Sequence, residues 1–204
     1  MHSLSDVPSV GSGAKGAVFV VRGRLEAVEA DVYVVPTDSF GNVESTWTSI
    51  VGTDATGGVR QLSDLSGGLE ADGAVWLGDV ADRRLVALNV GGGSRMNSVV
   101  GLTGRLSQAL ALLERELAVR PSTHRSRPLV AMPLIGVDRG ALGAETGDVI
   151  QSLLECLNRH FEGRPEGTRA FDVALVCFKG SDYAAVQHAR RCDLSADPPK
   201  EWLS

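Results

Sequence analysis

The sequence predicts a three-layer α/β domain built on a mostly parallel sheet. Two observations carry this. Short apolar runs of strand length alternate with segments of helical periodicity, the pattern of a sheet covered by helices. Several of those runs stop at glycine-bearing turns that lead into a helix. The 204 residues fit one domain, and a hydrophobic content of 43% is enough for a full core. Aromatic residues make up only 5%, so Val, Leu and Ala must fill the interior.

In chain order, residues 1–16 are rich in Ser, Gly and Pro and are expected to form a flexible lead-in. The domain proper is expected over 17–191, with a C-terminal tail at 192–204. AVFVVR (17–22) reads as a buried strand, followed by the turn Gly23-Arg24-Leu25 and a short EAVEA segment. DVYVVP (31–36) is the second strand, and the polar loop TDSFGNVESTW closes with Trp47. Residues 44–66 read as one or two short helices anchored by Trp47, Ile50, Val51 and Leu62. GAVWLGDV (73–80) alternates weakly, as an edge strand does, and turns at Ala81-Asp82 into the strand RLVALNV (84–90). That strand ends at Gly91-Gly92-Gly93-Ser94.

Leu102, Leu106, Ala109, Leu110, Leu113 and Leu117 then recur at three- and four-residue spacing, the stripe of a long helix that Pro121 ends. Residues 128–135 form a strand that runs into a Gly-rich loop, 136–143. A second striped helix follows, with Val149, Ile150, Leu153, Leu154, Leu157 and Phe161. Glu145 and Asp148 fall in its first turn, where negative charge suits the helix dipole. FDVALVCF (171–178) is a buried strand. Ser181 is expected to cap a last helix over 182–191, and Pro198-Pro199 predicts an extended tail.

Composition narrows the function classes. A net charge of −5 argues against nonspecific nucleic-acid binding, and no apolar stretch approaches the length of a membrane span. The first residues lack the basic-then-apolar layout of a signal peptide, so the chain is expected to be cytoplasmic. Cys156, Cys177 and Cys192 are scattered and show no metal-ligand spacing, so neither a metal nor a cofactor is expected. His2, His124, His160 and His188 lie far apart, without a His–carboxylate or His–Cys constellation.

In open α/β sheets a ligand sits at the carboxyl ends of the strands. The corresponding segments here are Asp38 to Gly41, Gly91 to Ser94, Gly136 to Gly143, and Phe178 to Ser181. All four carry glycine. Loops of this kind, with helix N-termini behind them, offer backbone N–H groups to a phosphorylated ligand such as a nucleoside diphosphate. Individual side chains leave two readings each. Asp38 either orients a ribose hydroxyl or a water, or forms an Asx-turn. Arg139 either pairs with a phosphate or is a solvated loop charge, and Asp138 points outward or meets a hydroxyl. Trp47 either walls the cleft or anchors the core. Phe178 either packs in the core or stacks on a base. Arg24 is either a surface residue or a contact to a ligand acceptor.

The order of elements over residues 17–190 resembles a macrodomain, the fold that binds ADP-ribose and related nucleotides. EADVYVVPTDS resembles the strand ending in an Asn-Ala-Ala-Asn turn, with Asp38 at the last Asn. GAVWLGDV and RLVALNVGG resemble the hairpin that ends in a His-Thr-Val-Gly-Pro-like turn. PLIGVDRGALG resembles the Ser-x-Gly-x-Tyr-Gly phosphate loop, and FDVALVCFKGSD the last strand and its exit. The phosphate loop is about two residues longer here, with Asp138 and Arg139 inserted, and FGNVESTW replaces the Gly-rich loop of many macrodomain hydrolases. Gly23-Arg24-Leu25 stands where relatives carry Gly-Asp-Ile. Arg cannot accept the hydrogen bond that the Asp accepts from the adenine amino group.

The resemblance implies a three-layer α/β/α fold with a mixed, mostly parallel central sheet. It implies that Gly136, Val137, Asp138, Arg139, Gly140, Ala141, Leu142 and Gly143 cradle the diphosphate and distal ribose, and that Asp38 and Ser39 approach that ribose. Gly91, Gly92 and Gly93 line the same edge, Phe178 takes the adenine-stacking position, and Arg24 and Leu25 stand at the adenine end. The implied function is a module that binds ADP-ribose or a related NAD-derived nucleotide as a sensor or reader, alongside a partner effector protein. Two alternatives stand beside it: an ADP-ribosyl or phosphoester hydrolase in which Asp38 positions water as the catalytic residue, and a module with a degenerate pocket serving regulation.

Overall fold

The computed structural model describes residues 16–80, 83–91, 98–120, 122, 125–137, 146–163 and 171–195. Six strands form one sheet: β1 (Val18–Arg22), β2 (Val32–Thr37), β3 (Ala74–Val80), β4 (Arg83–Asn89), β5 (Leu129–Pro133) and β6 (Asp172–Cys177). Their spatial order is β1-β6-β5-β2-β4-β3. The pairs β1–β6, β6–β5, β5–β2 and β2–β4 are all parallel, and only β3 runs antiparallel, against β4. The sheet is therefore mixed and mostly parallel. β3, read from its weak alternation as an edge strand, lies on the edge, with an irregular register between Trp76 and Gly78.

Strands covered on both faces need apolar residues at every position, which is why the inner ones read as unbroken apolar runs. The period of two then sorts side chains between two cores. Val32, Val34, Val86, Leu88, Val130, Met132, Val173, Leu175 and Cys177 face one core, with the stripes of α3 (Val99–Val119) and α4 (Thr146–Glu162) and with Val186 of α5 (Gly180–Ser195). Tyr33, Val35, Leu85, Ala87, Ala131 and Val176 face the other core, with Leu25, Val43, Ile50, Val51, Leu62 and Leu69. That second layer is made of short pieces: 3₁₀ turns at Leu25–Ala27, Ser45–Trp47 and Ser63–Leu65, and the helices α1 (Thr48–Val51) and α2 (Ser66–Asp72).

The two long helices form where the stripes place them. Ser98 caps α3, its hydroxyl accepting from the Gly101 N–H at 3.1 Å, and the helix stops at Val119, two residues before Pro121. α4 begins at Thr146 with Asp148 in its first turn, while Glu145 falls outside the described residues. α5 departs from expectation at both ends. It starts at Gly180, because the Tyr183 N–H already bonds the Lys179 carbonyl, and the Ser181 hydroxyl bonds Asp182 instead of capping. It continues through Ser195, into what was expected to be extended tail, since nothing before Pro198 removes a backbone donor. The lead-in to residue 15 and the turn Ala81-Asp82 lie outside the described residues. Among the described residues no helix is long and apolar enough to cross a membrane.

Candidate functional site

Because five strands run parallel, Arg22, Thr37, Asn89, Pro133 and Cys177 all end at one edge of the sheet. Backbone bonds carry the chain past those ends in order: Gly23 N–H to Cys177 O (3.0 Å), Leu134 N–H to Val176 O (3.0 Å) and Val90 N–H to Thr37 O (2.8 Å). The turns singled out as ligand-bearing thus start from neighbouring points.

On the β1–β6 side of this edge lies a cleft of about 260 Å³, lined by Gly23, Arg24, Leu25, Glu26, Thr46, Trp47, Pro133, Val176 and Phe178. The volume is just under the roughly 300–1,000 Å³ of drug-sized sites, so it suits one ring system and not a whole dinucleotide. Leu25, Pro133 and Val176 give its lining an apolar part, and two aromatic residues, Trp47 and Phe178, belong to the lining as well. Phe178 is 72% exposed and therefore not a core residue. Trp47 is half-buried, lining the cleft while its ring packs against the smaller core.

The Arg24–Ala27 turn is held from below by Tyr33, whose hydroxyl donates to Val28 O at 2.7 Å and accepts from the Ala30 N–H at 3.3 Å. Arg83 covers the Tyr33 ring at 5.3 Å and donates to Ser49 O, tying this turn to α1. Arg24 Nε donates to Glu26 Oε1. Burial alone raises the Glu26 carboxyl, but hydrogen bonds from its own N–H and from Arg24, with the charges of Arg24 and Arg83, hold it below the usual carboxylate range.

Across the edge, Asp38 organises its own loop. Its Oδ1 accepts from the N–H groups of Phe40 and Asn42, both at 2.9 Å, and its Oδ2 from Asn42 Nδ2 at 2.7 Å. This is the Asx-turn reading of Asp38. Ser39 sits at the tip beside it. Gly91 follows β4 and donates to Asn89 Oδ1 at 3.2 Å. Gly136 opens the long loop with φ 77°, a backbone shape that favours glycine, and Val137 packs back on the larger core. Gly92, Gly93, Asp138, Arg139, Gly140, Ala141, Leu142 and Gly143 lie outside the described residues.

No family model matches the chain, and no curated protein matches it at a significant level. Solved structures do. The Oceanobacillus iheyensis macrodomain with ADP superposes with a TM-score of 0.57 at 12% identity, over 87% of this chain and 92% of that one. The Trypanosoma brucei macrodomain in complex with ADP-ribose gives 0.57 at 12% identity, over 85% and 68%. An alphavirus P23pro-zbd gives 0.60 at 15% identity, covering 94% of this chain but 26% of that one. The chain has the macrodomain fold.

Within this macrodomain fold, Arg24, Leu25 and Phe178 come together in one cleft, whereas Asp38, Ser39, Gly91, Gly136 and Val137 stand farther along the same edge. Glu26, Thr46, Pro133 and Val176 also line the cleft and were not singled out from the sequence. Glu26 follows Arg24 by two residues on a tight turn, and that spacing was the available signal. Arg105 was missed as well. It sits on the apolar stripe of α3 between Leu102 and Leu106, is 7% exposed, and donates from Nη1 to Asn89 O at 3.1 Å. A charged residue inside an apolar stripe is the mark that would have found it.

Cys177 ends β6 directly below Phe178 and is fully buried. Burial, then the negative charge of Asp182, pushes its thiol from an ordinary 9.0 up to about 11. A raised thiol value means the folded state keeps a proton that the unfolded chain releases. This thiol therefore leaves folding stability unchanged below pH 9 and lowers it as pH rises toward 11. Urea unfolding of the wild type and of Cys177→Ala across that window is expected to show a steeper alkaline decline for the wild type. Parallel declines would refute the assignment.

Proposed function

We propose that this chain is a binding module for ADP-ribose or a related NAD-derived nucleotide, acting as a sensor or reader. The observation that carries the reading is the aromatic-walled cleft beside β6, placed at the same sheet edge where the turns after β2, β4 and β5 begin. A base enters between Trp47 and Phe178, and the diphosphate and second ribose run along the strand ends toward Gly136 and the Asp38 loop. The solved macrodomains with ADP and with ADP-ribose support the ligand class. The engagement of both Asp38 oxygens within their own loop favours binding over turnover, since a general base must reach the proton it takes.

Calorimetry or thermal shift with ADP-ribose and ADP tests this. Ligand at a hundred times its dissociation constant stabilises by about 2.7 kcal/mol. Phe178→Ala removes an exposed ring and is expected to weaken binding about tenfold, the size of one base–aromatic stack, with little change in folding stability. Wild-type protein unmoved by any nucleoside diphosphate would end the proposal. Turnover of an ADP-ribosylated substrate, lost in Asp38→Ala with binding kept, would replace it by the hydrolase reading.

A further inference from the structure

Two phenylalanines of the described chain stand mostly in solvent, Phe178 at 72% exposed and Phe40 at 63%. Phe178 follows β6 and Phe40 follows β2, so both lie past strand ends at the same edge of the sheet. Only β5 separates those strands, which puts their exits two strand spacings apart, about 10 Å. Phe40 is held close to its exit by a closed turn from Asp38 to Asn42. The Asp38 N–H bonds Asn42 O at 3.3 Å, the Gly41 N–H bonds Asp38 O at 3.2 Å, and Asp38 Oδ1 accepts the Phe40 N–H at 2.9 Å. Past the buried Val43, the same segment supplies Thr46 and Trp47 to the cleft. A ring presented by a turn already fixed costs little ordering when a flat partner covers it.

The two aromatic positions differ in charge. At the cleft, Arg24 and Glu26 bond each other, so a guest meets a compensated pair. At the turn, both Asp38 oxygens accept from Phe40 and Asn42 alone, and the ion pairs of the described residues bring no cation to it. The second position thus joins an exposed aromatic face to an uncompensated carboxylate, and both attract a positively charged ring.

We propose that the site takes an intact dinucleotide whose second ring is a pyridinium, as in NAD+, with the neutral base in the cleft against Phe178 and the cationic ring over Phe40 beside Asp38. This rests on the cleft being the base end of a nucleotide site, and it narrows the ligand class. ADP-ribose ends in a hydroxyl where the second ring would be, and the reduced dinucleotide has a ring without its positive charge. A ribose–diphosphate–ribose linkage, extended, is long enough to bridge the two exits.

The test is calorimetry on the full chain with NAD+, NADH and ADP-ribose, with chromatography of the ligand afterwards. NAD+ is expected to bind about tenfold more tightly than ADP-ribose, the size of one stacked ring, and several-fold more tightly than NADH. Phe40→Ala, at an exposed position, should remove the advantage over ADP-ribose while leaving ADP-ribose binding unchanged, and Phe40→Trp should restore it. Asp38→Asn keeps an acceptor for the Phe40 and Asn42 N–H groups and is expected to erase the preference for NAD+ over NADH; melting curves confirm that each variant is folded. ADP-ribose as tight as NAD+, or an NAD+ advantage that survives Phe40→Ala, overturns the second-ring assignment and leaves the nucleotide reading standing. NADH as tight as NAD+ overturns the cationic ring, and NAD+ recovered as nicotinamide and ADP-ribose overturns the proposal in favour of turnover. No binding by any of the three ends both readings.

Discussion

Gly41→Ala is expected to cost about 3–5 kcal/mol of folding stability, more than the 0.5–3 kcal/mol of an ordinary point change. Gly41 lies in the loop after β2 with φ 77°, and a Cβ there would stand 2.2 Å from Leu62 O and 2.4 Å from Leu62 C. These are backbone atoms and cannot swing aside. The same residue is also tied to the glycine, since the Leu62 N–H donates to Gly41 O at 2.9 Å. Relief of the clash must therefore break the link between the Asp38 loop and the segment before α2. Gly52 supplies the control. It has nearly the same φ, 82°, with ψ −175° and nothing within 4 Å of its would-be Cβ, so Gly52→Ala carries only the backbone cost, about 1–3 kcal/mol. Urea denaturation of both variants separates the steric part from the conformational part, and equal losses would refute the close approach.

The second large effect is expected at Asn89. Its side chain is fully buried, donating from Nδ2 to Leu69 O at 3.0 Å and accepting the Gly91 N–H at 3.2 Å, so it joins α2 and the exit of β4. Asn89→Ala strands a buried carbonyl and an amide at once, a loss of about 2–4 kcal/mol. Asn89→Asp should be worse. A carboxylate cannot donate to Leu69 O, and the buried charge would lie near Arg105, whose guanidinium burial already holds below its usual range. Equilibrium unfolding checks the ranking; Asp tolerated better than Ala would mean that Arg105 pairs with the new charge.

Much of the sheet was legible because parallel strands with two covered faces have no polar side to show. The runs at 31–36, 84–90 and 171–178 could be little else, and β3 betrayed its edge position by alternating. The stripes of α3 and α4 were equally open. α2 was not, because Gly67 and Gly68 depress helix propensity just where packing of Leu69 forms a helix anyway. The Phe178 wall was visible as an aromatic at a strand end, yet whether it faced core or solvent depended on a one-residue phase that only the register of β6 against β5 decides. Glu26, Thr46, Pro133 and Val176 come from four separate segments, and no local pattern gathers them. The Asn89–Arg105 bond spans a strand and a helix, and its meaning exists only once the two are packed.

The irregularity between Trp76 and Gly78 also bears on how this protein behaves in a crowded solution. An outermost strand is an invitation for a neighbouring molecule to zip on and begin a stack. Here the ladder is interrupted midway, with Gly78 at φ 72°, and neither stretch on its two sides is long enough to template much growth. That side of the molecule is blunted by its own backbone.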